Sequence, residues 1–118
     1  MFLLTEWTDE IQDPLIQVQV QFGRDSFGTC YEAIAPLGNT SPVLRTLRVG
    51  DRILNHVAYL VTDLSAERER VRDCGCVLAG DPYPAVAYGG RRVQFFVSPL
   101  RFMIELIEAP MHQHSFIT

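Results

Sequence analysis

Apolar and polar residues alternate along several short stretches of the chain, most regularly in residues 16–22. Every second residue from Ile16 to Phe22 is apolar, and the positions between them are glutamines. A period of two predicts a β-strand with one buried and one solvated face, so the glutamines are assigned no functional role. A turn over 23–28 and a return strand over 29–35 complete a predicted hairpin.

The stretch 52–110 predicts a complete module of a strand, a helix and three further strands. A short helix over 41–50 precedes it, with Ser41 as N-cap and Gly50 at its end. Loop residues are predicted for 81–91, which are rich in proline and glycine. The five predicted elements of the module are Arg52–Thr62, Asp63–Cys74, Cys76–Gly80, Arg92–Val97 and Phe102–Glu108.

One spacing occurs twice and indicates an internal repeat. The segment Val20-Gln21-Phe22 precedes Glu32, and the segment Val93-Gln94-Phe95 precedes Glu105, with every position offset by 73. Subtracting this offset from the strand and helix over 52–74 leads to residue 1 or before it. The sequence therefore predicts an α+β fold with one complete βαβββ module and a truncated first module over residues 1–36.

Composition narrows the class of protein. We expect the 118 residues, 47% of them hydrophobic, to form a single domain with 37–51 as linker and 111–118 as a tail. A net charge of −4 argues against a nucleic-acid surface. All ten basic residues are arginines, which excludes lysine-based covalent chemistry.

The chain offers no sign of export or membrane insertion. Its apolar runs are much shorter than the roughly 20 residues needed to span a bilayer, and its start resembles no signal peptide. The three cysteines are an odd number without framework spacing. We therefore expect reduced thiols and a cytoplasmic protein.

Three ionisable residues stand in apolar strand rows and are the candidates for chemistry. Glu32, His56 and Glu105 each alternate with apolar neighbours on a predicted strand face. A buried carboxylate is costly unless it is paired or binds a metal. Carboxylate and imidazole donors together suit Zn, Mn, Fe, Co or Ni. The alternative is structural: a strand histidine is often a hydrogen-bonded core residue, and a strand glutamate often pairs with arginine.

Two adjacent arginines are candidates for substrate binding. Arg91 and Arg92 follow the Gly89-Gly90 turn, where a guanidinium group can hold a carboxylate or phosphate. Such residues are also common as plain surface charge, and the sequence leaves both readings open.

Three strings resemble a known superfamily. They are Leu54-Asn55-His56-Val57-Ala58-Tyr59-Leu60-Val61-Thr62-Asp63-Leu64, Pro84-Ala85-Val86-Ala87-Tyr88-Gly89-Gly90-Arg91-Arg92-Val93, and Met103-Ile104-Glu105-Leu106-Ile107-Glu108. Together with the link over 36–43, they resemble the vicinal oxygen chelate superfamily over about residues 13–109. Within it, methylmalonyl-CoA epimerase and glyoxalase I look most similar.

This resemblance implies two modules paired into a cupped mixed sheet with flanking helices, and a divalent metal inside the cup. Its ligands would be His56 on the first strand of the complete module and Glu32 and Glu105 on the last strands. Substrate oxygens would bind the metal, which would stabilise an enolate. A nearby carboxylate would move the proton, and Glu32 and Glu105 are the candidates for this role. The expected function is a glyoxalase- or epimerase-like isomerase or lyase acting on a small carboxylate, acyl thioester or α-keto compound.

The chain departs from the family pattern in two places. The first strand of the first module, which would carry a fourth ligand, is missing, and Val20 stands where the epimerase has a catalytic carboxylate. A tail histidine, His112 or His114, could replace that ligand, or a second chain could donate it. These departures favour an alternative function, non-catalytic sequestering of a small ligand. They also predict a homodimer or higher oligomer that covers the sheet edge.

Overall fold

The computed structural model describes residues 4–45 and 55–117, which divide into two compact units. The first contains the described residues up to 45 together with 113–117, and the second contains 55–112. Strands dominate both units, and a ten-residue helix lies in the second, so the predicted α+β class is confirmed.

In the first unit a long central strand organises the sheet. β3 pairs along one edge with β1 and β2, and along the other edge with β4, and all these pairings are antiparallel. The alternating residues Val18, Val20 and Phe22 are buried, as the sequence pattern predicts. The strands are β1 (Leu4–Trp7), β2 (Ile11–Asp13), β3 (Val18–Asp25) and β4 (Cys30–Pro36).

The second unit is a βαβββ module whose second strand is interrupted and forms two short strands. β5 pairs in parallel with β9, β9 pairs with β8, and β6 and β7 share the other edge of β8. The elements are β5 (His56–Leu60), α1 (Leu64–Asp73), β6 (Val77–Leu78), β7 (Tyr83–Ala85), β8 (Arg91–Val97) and β9 (Met103–Ile107).

Helix α1 is fixed by contacts at its N-terminus and by one apolar residue. The Asp63 side chain accepts a hydrogen bond from the amide of Ala66, as expected of an N-cap. Leu64 is fully buried in a core with Phe96 and Leu106. After the helix, Gly75 has a φ of 95°, which favours glycine. None of the described helices has the length and apolar character required to cross a bilayer.

The repeat inferred from the sequence has a counterpart in strand register. In the first unit Phe22 lies directly opposite Glu32, and in the second Phe95 lies directly opposite Glu105. All five pairs of the β8–β9 ladder have a counterpart in the β3–β4 ladder at the same offset of 73. A second contact also recurs. The side-chain amide of Gln21 donates a hydrogen bond to the Thr8 carbonyl, and the side-chain amide of Gln94 donates one to the Gly80 carbonyl. The register therefore supports a duplicated unit.

Several boundaries differ from those predicted. Residues 11–13, which were not predicted as a strand, form β2, and residues 83–85, expected as a loop, form β7. The strand expected from residue 16 begins at Val18, because Gln17 has a φ of 57°. Of the predicted helix over 41–50, residues 43–45 are helical and 46–50 lie outside the described residues, as do 52–54 of the next predicted strand.

The tail was predicted to lack regular structure, but it forms contacts with the first unit. Ile117 forms an antiparallel bridge with Trp7. The two backbone hydrogen bonds of this bridge place the tail beside β1. No periodic pattern in the tail predicts this docking, since its contacts are with residues far away in the chain.

Candidate metal centre

The second unit brings two of the three candidate ligands together. In the parallel ladder Ala58 lies opposite Glu105, so His56, two residues earlier on the same face, is its diagonal neighbour. The His56 Nε2 atom lies 3.2 Å from Glu105 Oε1, and the two side chains are only 8% and 7% exposed. The pair is therefore largely shielded from water.

Aromatic rings form the surroundings of this pair. The His56 ring meets the Phe95 ring edge-on, with 5.3 Å between centroids. Tyr83 in turn stacks on Phe95 at 6.5 Å. An apolar wall of this kind strengthens electrostatic interactions at the pair, because it excludes water and lowers the local dielectric.

Both ring nitrogens of His56 have a polar neighbour. Its Nδ1 atom lies 2.9 Å from Asn55 Oδ1, and its Nε2 atom faces Glu105. A proton on Nε2 would be donated to the Glu105 carboxylate, whereas a proton on Nδ1 leaves the Nε2 lone pair directed at it. An Nε2 lone pair beside a carboxylate oxygen is a donor set that transition metals accept.

Glu32, the third candidate, lies in the first unit on β4. It is half-buried and stands directly opposite Phe22, in the register that Glu105 has to Phe95. Cys30 lies two residues away on the same face, where burial raises its thiol pKa, the Glu32 charge raises it further and Arg24 opposes them. Both the negative charge of Glu32 and the positive charge of Arg24 therefore act at Cys30.

The side chain of Val20 cannot act as a general base. It is 5% exposed and lies in the buried row of β3. An apolar side chain in this row offers no titratable atom.

Both arginines that were predicted to bind a substrate contact Glu108. Arg92 forms an ion pair with the Glu108 carboxylate at 3.1 Å, and Arg91 donates to the Glu108 carbonyl at 2.9 Å. Strand alternation places Arg92 on the opposite face of β8 from Phe95 and Glu105. A contact of either arginine with a substrate stays a prediction.

Sequence reasoning missed the role of Glu108. Its carboxylate accepts a hydrogen bond of 2.8 Å from the amide of Leu64, the first residue of α1. This bond and, next to it, the Arg92 guanidinium hold the Glu108 pKa below its ordinary value, although partial burial opposes them. An acid that ends a strand 44 residues after a helix start gives no local signal of such a cap.

The tail histidines lie in different units. His112 meets the Tyr88 ring at 4.7 Å in the second unit, and burial lowers its pKa. His114 stacks on Phe22 in the first unit, with 3.7 Å between centroids and 19° between planes. His114 is therefore the tail histidine on the face that carries Glu32.

Comparisons with known proteins identify the fold and the family of this chain. No curated protein matches the chain. A solved structure, a hypothetical protein from Bacillus halodurans, superposes with a TM-score of 0.75, covering 95% of this chain and 80% of the other. The two sequences are 19% identical, which shows a shared fold alone. A family model matches residues 3–95, most of the chain, and on this match the protein belongs to the Glyoxalase/Bleomycin resistance protein/Dioxygenase superfamily.

Proposed function

We propose that this protein is a metal-dependent enzyme of the glyoxalase or epimerase type. It acts on a small carboxylate, acyl thioester or α-keto compound by removing a proton next to a carbonyl group, through an enolate. The observation that carries the proposal is the shielded pair of His56 Nε2 and Glu105 Oε1 at 3.2 Å. Membership of a superfamily whose members often bind divalent metals agrees with it.

His56, Glu105 and Glu32 are the proposed ligands of one divalent cation. The pair in the second unit supplies one imidazole nitrogen and one carboxylate oxygen, and Glu32 supplies a second carboxylate in the equivalent register. When bound, the cation would act as a Lewis acid that polarises a substrate carbonyl. The mixed donor set fits Zn, Co, Ni, Mn or Fe.

Proton transfer falls to a carboxylate in this proposal. Val20 cannot take a proton, so Glu32 and Glu105 are the candidates for base and acid. One of them accepts the proton from the substrate carbon, and the same or the other glutamate returns a proton to that carbon. The apolar surroundings of Glu105, with Phe95 opposite it, protect a carbanionic substrate from water.

Metal content is the direct test of the proposed site. Elemental analysis of the purified chain should find about one transition metal per chain, and His56→Ala should lose it. The matched control is His112→Ala, which removes an imidazole that faces Tyr88. A wild-type chain that stays metal-free after loading with each of the five metals would defeat the proposal.

Proton exchange tests the reaction class. Incubation of the metal-loaded chain in D₂O with a panel of small α-keto acids and acyl thioesters should introduce deuterium next to the carbonyl, observable by proton NMR. Substitution of Glu105 or Glu32 by Gln should abolish exchange, because an amide cannot accept the proton. Exchange that persists in both variants would contradict this assignment.

The alternative is a non-catalytic protein that sequesters a small ligand, favoured by the buried Val20 at the position of a general base. This function requires ligand binding without turnover. A metal-loaded or metal-free chain that binds compounds of the panel in calorimetry, but catalyses no deuterium exchange, would establish the alternative.

We also propose that the chain functions as a homodimer or higher homo-oligomer. In the described part of the first unit, β4 forms a ladder with β3 alone, whereas its counterpart β9 is paired on both sides. An open strand edge favours pairing with another chain. Sedimentation at micromolar concentration should give a dimer or larger species, and a monomer that unfolds cooperatively would contradict it.

A further inference from the structure

A row of apolar side chains crosses the second sheet from His56 to the edge of the sheet. The register pairs His56 with Met103, and Met103 with Val97. At the edge, Val97 is paired with Val77. Residues in register on neighbouring strands share a face, and Glu105 shares the face of Met103 two residues earlier. The apolar row therefore lies on the face that carries the His56–Glu105 pair, and it extends over three strand spacings of about 4.8 Å each.

The outer part of this row is exposed although its residues are apolar. Val97 is 40% exposed and Val77 is 66% exposed. The opposite face of the same strand is covered, because Phe96 is fully buried in the core with Leu64 of α1. Exposed apolar surface that continues from a few convergent polar groups is typical of a small-molecule site. The row therefore extends the surface around the pair.

The arginines of β8 and of the turn after it lie outside this row. Arg92 is on the opposite face, and Arg91 is four residues from Phe95, about 13 Å along the strand at 3.3 Å per residue. Arg101 is exposed in the turn beyond the β8–β9 ladder. A second carboxylate on a small substrate held at His56 would lie against apolar side chains without a cation to pair with it, which is unfavourable.

We propose that the row of Met103, Val97 and Val77 binds an apolar side group of the substrate and disfavours a second carboxylate. This inference rests on the proposed function and names its substrate class: carbonyl compounds with a branched alkyl or aromatic side group rather than dicarboxylates. The reacting carbonyl lies at the His56–Glu105 pair, and the side group extends along the row towards the sheet edge. Apolar area that the side group buries there contributes to binding in proportion to its size.

Two compounds of matched shape test this preference. α-Ketoglutarate carries a distal carboxylate, and its analogue carries an isopropyl group in that place. Deuterium exchange next to the carbonyl is measured on the metal-loaded chain, and the affinity for each compound is measured by calorimetry. Both readouts are expected to favour the isopropyl compound by at least about tenfold, which is the order of discrimination that an apolar pocket provides.

Three arginine substitutions on the outer strands locate the preference. Val97→Arg and, as a second variant at a more exposed position, Val77→Arg place a cation in the row. The matched control is Leu78→Arg, because Leu78 is paired with Phe96 and therefore lies on the other face of the same edge strand. Circular dichroism establishes that each variant is folded. The two row variants should reduce or reverse the preference, since a guanidinium group pairs with a carboxylate, and the control should keep it.

A wild-type preference for α-ketoglutarate, or folded row variants with an unchanged preference, would overturn this inference. In either case exchange on the wild-type chain would still support the proposed reaction. Preferential binding of the isopropyl compound without any exchange would contradict the proposed enzyme and support the apolar row. Binding of neither compound would overturn the inference. Row variants that keep the preference but sediment as a smaller species would assign the row to contact between copies of the chain.

Discussion

The two units share one arrangement of strands and differ in what lies beside the last one. In each, the strand that carries a glutamate pairs with a central strand in the same register. In the second unit a parallel strand, β5, then places His56 against Glu105. Among the described residues of the first unit, no strand takes that place beside β4. The pairing register of two strands is thus enough to position the glutamate, whereas the histidine beside it comes from a further strand.

The largest expected effect concerns the unit that has this element. His56→Ala should reduce zinc affinity by well over tenfold, because a direct ligand matters more than an indirect one. Chelator competition measures the affinity. The same substitution leaves the buried Glu105 carboxylate without its histidine, so circular dichroism must show that the variant is folded. A folded variant with wild-type zinc affinity would show that the additional strand of the second unit contributes no metal ligand.

Substitution of the two equivalent glutamates tests whether the units contribute equally. Glu105→Gln should weaken zinc binding more than Glu32→Gln, because Glu105 is 5% exposed whereas Glu32 is half-buried. Each loss should be at least about tenfold. Glu69→Gln, on the solvated face of α1, serves as control. If Glu32→Gln behaves as the control does, the first unit contributes no ligand through β4.

Packing of the second unit predicts a large loss of stability on truncation of Phe96. This ring is fully buried with Leu64 and Leu106. Phe96→Ala should lower the free energy of unfolding by about 3–5 kcal/mol, measured by urea denaturation. Leu100→Ala, at a side chain that is 82% exposed, should change it by less than about 0.5 kcal/mol. Similar losses in both variants would contradict the assigned core.

The smallest effect concerns the carboxylate that caps α1. The pKa of Glu108 is lowered in the folded chain by the Leu64 amide and by Arg92. A lowered pKa contributes stability above the unfolded value of about 4.3, and that stability is lost as pH falls through the folded value. Glu108→Gln should therefore flatten the decline in unfolding free energy at acid pH. An unchanged pH profile would show that this carboxylate is not held in the folded state.

The sequence predicted features that depend on strand alternation and on spacing. The buried row from Val18 to Phe22 follows from a period of two, and the offset of 73 predicted the equivalence of Glu32 and Glu105. The helix predicted over Asp63–Cys74 was also found, since its start and end depend on neighbouring residues alone. Local chemistry and simple periodicity were sufficient in each of these cases.

Features that depend on distant contacts were missed. β2 has three residues, too few to show alternation, and β7 contains Pro84, which is tolerated because the strand lies at an edge. The docking of the tail rests on Trp7, Phe22 and Arg24, more than 85 residues away from it in the chain. No window of sequence contains both sides of such contacts. The cap that Glu108 provides for α1 was missed for the same reason.

Anomalous diffraction from crystals of the cobalt- or zinc-loaded chain would locate the metal ion itself. We expect one strong peak per chain, about 2.0–2.2 Å from a nitrogen of His56 and from carboxylate oxygens of Glu105 and Glu32. A peak at other residues, or none at these three side chains under saturating metal, would contradict it.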